Sequence, residues 1–138
     1  MTAYDDLMAF TRDTHALGQV AGRLGWDQET MMPRGAAPQR AEEMAAMESV
    51  LHARRIDPRV KDWLEEIDDT KLDNVGQAQM RHIRRSFART SKVPAALATR
   101  LAKLTSAAQG IWAEARAADD FTAFAPTLAE VIMLKREE

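Results

Sequence analysis

Apolar side chains recur along this chain at the three- and four-residue steps of a helix face, not at the two-residue step of a strand. Leu7, Phe10, Leu17, Val20 and Leu24 follow one another at three, seven, three and four residues, which predicts a first helix from about Ala3 to Leu24, ended by Gly25. A second helix is expected to open at Pro38, whose fixed φ and missing N–H suit a first helical position, and to run to about Arg54. Asp57 then reads as the N-cap of a short third helix presenting Val60, Leu64 and Ile67. It closes in the polar stretch Asp68 to Lys71, and a fourth helix is expected from Asp73 or Asn74 to about Thr90. From Pro94, the residues Leu97, Leu101, Leu104, Ala108, Ile111, Ala115 and Ala118 alternate steps of four and three, the seam of a fifth helix packed on its neighbours.

A sixth helix follows the turn Asp119-Asp120-Phe121 and carries Pro126, Leu128, Val131 and Leu134. Its end, Lys135-Arg136-Glu137-Glu138, has no glycine cap, and its acidic groups oppose the negative pole of the helix dipole. The pattern is therefore read as a helix cut before its natural stop. Composition strengthens the helical reading: 25 alanines stand against 6 glycines and 5 prolines. No repeat of fixed period is present. The expected fold is all-α, a bundle of about six helices.

With 138 residues the chain has room for one domain. A formal charge of −2 offers no general attraction to nucleic acid or anionic membranes, so neither is expected as a partner. The chain contains no cysteine, which excludes disulfides and thiolate chemistry. The start of the chain shows neither the basic nor the apolar part of a secretory signal, and no apolar run is long enough to span a bilayer. Cytoplasmic location is the expectation.

Candidate chemistry is sparse. His15, His52 and His82 lie 37 and 30 residues apart, without the four-residue step that would place two imidazoles on one helix face, and read as ordinary surface residues. Glu42-Glu43, Glu65-Glu66 and Asp68-Asp69 fall on amphipathic segments and read as solvated faces. The one basic concentration, Arg81, Arg84, Arg85, Arg89 and Lys92, follows the acidic helix that ends at Asp69 and reads as charge pairing within the bundle or with a missing partner, with nucleic acid as the weaker alternative. No phosphate-binding or nucleophile-elbow glycine motif occurs. No catalytic, cofactor-binding or metal-ligating residue is expected within the chain.

The segment from Gly25 to Gly35 stands apart. Read as a loop, it holds Trp26, Met31 and Met32 beside Asp27, Gln28 and Glu29, and its apolar groups need a surface to cover them. Two readings are open. The segment folds back on its own bundle, or these six residues line a cleft or contact another domain.

These residues also carry a family resemblance. Leu24-Gly25-Trp26-Asp27-Gln28-Glu29-Thr30-Met31-Met32-Pro33 followed by Arg40-Ala41-Glu42, and later Trp112, Ala115-Arg116, Asp120 to Pro126, Leu128, Val131 and Leu134 to Glu137, resemble the N-terminal region of the carboxypeptidase Taq family of zinc metallocarboxypeptidases. The resemblance implies that residues 1–138 are the N-terminal helical domain of a larger, mostly helical cytoplasmic enzyme. That enzyme removes C-terminal residues from peptides with broad specificity and works as a homodimer. It further implies zinc, with cobalt as the alternative, held by an HExxH helix beyond position 138. The chain alone would then be inactive scaffold and substrate-cleft wall, its partner the missing C-terminal catalytic domain. A stand-alone interaction module using the Trp26 to Met32 segment is the alternative from another class.

Overall fold

Four of the six helices begin at side chains that satisfy free N–H groups. A computed structural model describes residues 2–138. Its helices are α1 (Ala3–Thr30), α2 (Ala37–Arg55), α3 (Pro58–Glu66), α4 (Asn74–Thr90), α5 (Ala95–Ala117) and α6 (Phe121–Glu137), with 3-10 turns at Arg34–Ala36 and Asp69–Lys71. Thr2 and Asp5 form a reciprocal capping box at α1, and Asp57, Asp73 and Asp120 cap α3, α4 and α6. No strand occurs among the described residues, and the fold is all-α as its alanine content and periodicity predict.

Asp57 both caps and pairs. It accepts from the Arg59 N–H at 2.9 Å and from the Arg59 guanidinium at 3.0 and 2.9 Å, and these bonds hold its carboxyl down at about 2. Since this value lies below the ordinary 3.8, the stability it contributes is present above about pH 4 and is lost as the pH falls through about 2. Asp57→Ala should cost about 1 kcal/mol at neutral pH as a lost cap. Urea midpoints of the variant, followed from pH 5 to pH 2, should then converge on those of the native chain.

Burial divides between two groups of helices. In the first, Leu7 of α1, Val60 and Leu64 of α3 and Met80 of α4 form one buried cluster, extended by Phe10, Trp63, Ile83 and Phe87. The Phe10 and Trp63 rings meet edge to face with centroids 5.7 Å apart, and the Arg54 guanidinium lies 4.1 Å from the Phe10 centroid. Arg84 of α4 fastens the end of α3: it donates to the Leu64 carbonyl and to Asp69 at 2.9 Å. Of the basic run, Arg84 is thus the member that pairs within the bundle.

The second group is α2, α5 and α6. Ala41, Ala45 and Leu51 of α2 are buried, as are Leu101, Ala108 and Ala115 of α5, and the alanines among them let the two helices approach closely. α6 runs back along α5 and buries Leu134 completely. The corner between them is tight. The Asp120 N–H bonds to the Ala115 carbonyl at 2.9 Å and the Asp119 N–H to that of Arg116 at 3.3 Å, the paired bonds of a Schellman motif. Asp119 takes the left-handed position at φ 53°, where glycine is usual.

Two expectations need correction. α1 does not stop at Gly25 but continues to Thr30, so the expected loop shrinks to Met31–Pro33 and a short 3-10 turn. A single glycine costs a helix about 1 kcal/mol, which the contacts of the following turn outweigh. His52 is not a surface residue: it is 2% exposed, its Nε2 lies 2.8 Å from the Val93 carbonyl, and its Nδ1 has no partner. Because a carbonyl can only accept, Nε2 carries the proton.

Candidate functional site

The residues singled out between 26 and 32 form the last turns of α1 and the start of the link to α2. The N–H groups of Met31 and Met32 both donate to the Asp27 carbonyl at 2.9 Å, closing the helix end. Pro33 then adopts an extended backbone and turns the chain toward α2.

One arginine fixes this corner. Arg40, in the first turn of α2, donates to Asp27 Oδ2 at 2.6 Å, to Glu43 Oε2 at 2.8 Å and to the Leu24 carbonyl. Its side chain is only 11% exposed. The planar fork of a guanidinium suits this task, since it serves three acceptors in fixed directions. Its bonds to Asp27 and Glu43 raise the Arg40 pKa further, while those from Arg40 and Gln39 hold the Glu43 carboxyl below the usual range.

Gln28 turns the other way, into the bundle. Its amide nitrogen donates to the Ser106 carbonyl at 2.7 Å, and the Ser106 hydroxyl donates back to its amide oxygen at 2.9 Å. Ser106 lies in the buried seam of α5, so this pair ties the end of α1 to the middle of α5. Gln28→Ala should therefore destabilise the chain by about 1–3 kcal/mol, because two buried polar groups lose their partner. Ser106→Ala should cost less, since the backbone half of the pair survives. Equilibrium unfolding of the two single variants and the double variant checks the coupling between them.

The structure thus separates the six candidates. Asp27, Met31 and Met32 line a shallow depression with Arg40 and Glu43. Gln28 is withdrawn to α5. Trp26 is 64% exposed, and Glu29 is exposed beside it, both outside that depression. Arg40 and Ser106 are the two positions that the sequence reading leaves without a role. Beyond the place of Arg40 in the family resemblance, an arginine three residues before Glu43 and a lone serine in an alanine-leucine seam are the signals they give.

Chemically the depression is committed to structure. Its two carboxylates are engaged by one guanidinium, and a carboxylate so engaged is a poor proton acceptor. Among the described residues no three His, Cys, Asp or Glu side chains come close enough to share an ion. His15 and His82 are exposed on different helices, and His52 is turned to a carbonyl.

An apolar groove lies at the other block of resemblance. Trp112 and Ala115 of α5 face Phe121 and Phe124 of α6 across a groove flanked by Arg116, Asp119 and Asp120. Trp112 is 49% and Phe121 67% exposed.

Comparison with known families assigns what this geometry leaves open. The family model described as carboxypeptidase Taq (M32) metallopeptidase matches residues 6–138. The chain belongs to the M32 family. Thermostable carboxypeptidase 1 of Thermus thermophilus is 37% identical to it over 140 residues, covering 99% of this chain and 28% of that protein. Thermostable carboxypeptidase 1 of Pyrococcus furiosus is 27% identical over 133 residues, covering 94% of this chain and 26% of that protein. Among solved structures, Trypanosoma cruzi metallocarboxypeptidase 1 matches with a TM-score of 0.72 and 29% identity, over 99% of this chain and 28% of that one. The chain therefore spans little more than a quarter of the M32 proteins it matches.

Proposed function

We propose that residues 1–138 are the N-terminal helical domain of a metal-dependent carboxypeptidase that hydrolyses C-terminal residues from peptides with broad specificity. The observation that carries this reading is the M32 match over residues 6–138 together with coverage of only 28% of the relatives. In it, the helices serve as scaffold and as one wall of the substrate cleft, with Trp26, Asp27, Glu29, Met31 and Met32 at the edge nearest peptide or the catalytic domain. The catalytic metal, zinc with cobalt as the alternative, belongs to residues outside this chain. Three ligands and a base must stand together to polarise a peptide carbonyl, and no such group forms among the described residues. The parent enzyme is read as a cytoplasmic homodimer. Among the described residues no helix is long and apolar enough to cross a membrane.

The full-length gene product should release C-terminal amino acids from unblocked peptides, lose that activity to a chelator and regain it with zinc or cobalt. The 138-residue chain should release none under the same conditions. Turnover by the chain alone would overturn this division of labour. Within the active parent, Trp26→Ala and Met31→Ala should raise KM more than they lower kcat if these side chains border the cleft.

The exposure of Trp26 and of Met31, at 64% and 71%, also favours a second reading, a stand-alone helical module that docks a partner through this corner. The mass of the native polypeptide in its source cells separates the two. If 140 residues are 28% of a relative, the parent is a protein of about 500 residues, whereas the module would run at 15.4 kDa.

A further inference from the structure

α6 is apolar on both sides. Its inward side carries Phe124, Leu128, Val131 and Leu134, the last of them fully buried against the bundle. Its outward side carries Phe121, Thr122, Pro126, Ala129, Ile132 and Met133, all exposed, and no charge falls among them. Ile132 and Met133 are 43% and 46% exposed, and at the other end the strip runs into the Trp112–Phe121 groove. The contrast with other helices is sharp. The exposed residues of α1 include Asp5, Arg12, Asp13, His15, Arg23 and Glu29, and those of α4 include Arg81, His82, Arg85 and Arg89.

A helix apolar all round is a buried helix, and here one side has nothing on it. Charges appear only at the margins: Asp119 and Asp120 before the helix, the Arg100–Glu130 pair at its flank, and Lys135, Arg136 and Glu137 at its end. An uncharged centre with a charged rim is the anatomy of a protein interface.

We infer that this outward face of α6, with the adjoining Trp112–Phe121 groove, is where the remainder of the full-length M32 polypeptide packs onto the helical domain. The inference rests on reading the chain as part of a longer peptidase, and it adds to that reading the surface through which the two parts are joined. Two observations select this occupant. The whole chain corresponds to 28% of the solved relative, which leaves 72% of a protein of that length to be placed against it. The face also lies on the last helix of the chain, so polypeptide continuing from Glu138 is held close to it at high effective concentration. The surface should accept another uncharged helix face, with the marginal charges finding partners at its edge.

Thiol protection in the full-length protein tests this. Ile132→Cys and, as the change least able to disturb packing, Ala129→Cys are made in the whole gene product. Their alkylation is followed by peptide mass spectrometry, native against denatured. A covered face should slow labelling at both positions by about a hundredfold or more relative to the denatured protein, since the thiol then reacts only during local opening. Labelling within about tenfold of the denatured rate overturns the inference. Protection that disappears on dilution overturns it as well, because it assigns the face to a second copy of the protein. Release of amino acids from a peptide by the same preparation reports on the peptidase reading separately. An active enzyme with open thiols refutes the docking surface alone, and a native polypeptide of only 15.4 kDa refutes both.

Discussion

Leu7→Ala should destabilise this bundle by about 3 kcal/mol, the middle of the range for deleting a fully enclosed leucine. For a chain of this length that corresponds to roughly 10 °C in Tm. The reason is local. α1 is 28 residues long, yet Leu7 is its one fully buried side chain, seated against Val60, Leu64 and Met80. Those partners come from α3 and α4, so removing the leucine opens a cavity where three helices meet and none can close it by moving alone. Thermal unfolding followed by circular dichroism measures the loss. A shift below about 2 °C would mean that the cluster collapses around the smaller side chain and that packing there is loose.

The second large effect is expected at the opposite end of the chain. Leu134 is the one buried side chain of α6 and is completely enclosed, so Leu134→Ala should also cost about 2–4 kcal/mol. What distinguishes it is where the loss appears. Leu134 shares no contact cluster with Leu7, so amide exchange should quicken along α6 while α3 and α4 stay protected. The double variant should then show the sum of the two losses, as sites without common neighbours do. Uniform acceleration across all six helices would instead show that the two groups of helices unfold as one unit.

The readable part of this fold was written in short-range terms. Asp57, Asp73 and Asp120 announce helix starts because each caps through its own side chain a few residues away. The seam of α5 is legible in part because its Leu and Ala steps track the helical period: Leu101, Ala108 and Ala115 are buried, whereas Ile111 and Ala118 of the same expected seam are exposed. The M32 signature in the Trp26 segment is legible as a string. What defeated local reading was the end of α1. Gly25 is a sound stop signal by propensity, but the helix beyond it is held by Arg40, 16 residues from the Leu24 carbonyl it binds, and by Ser106, 78 residues from Gln28. Tertiary bonds of that reach overrule a propensity of about 1 kcal/mol.

The candidate site shows the same division. That residues 26–32 are unusual follows from Trp and two Met set among polar neighbours, a feature of composition. Which of them stay outward does not follow from it, because the helical turn of α1 sends Gln28 inward while Trp26 and Glu29 remain in solvent. The burial of His52 is equally hidden. A single imidazole on α2 carries no pattern, and its place is decided by the carbonyl of Val93 beyond α4.

The corner at Asp119 bears on how such a sequence can drift. A non-glycine residue held at φ 53° carries a backbone cost of about 1 kcal/mol. Glycine or asparagine would relieve that cost, whereas a β-branched residue would deepen it. Residue types that tolerate the left-handed region are thus the ones that fit this position without added strain. Insertions are constrained more tightly still, because one added residue would break both carbonyl bonds of the turn and rotate α6 away from α5 by about 100°.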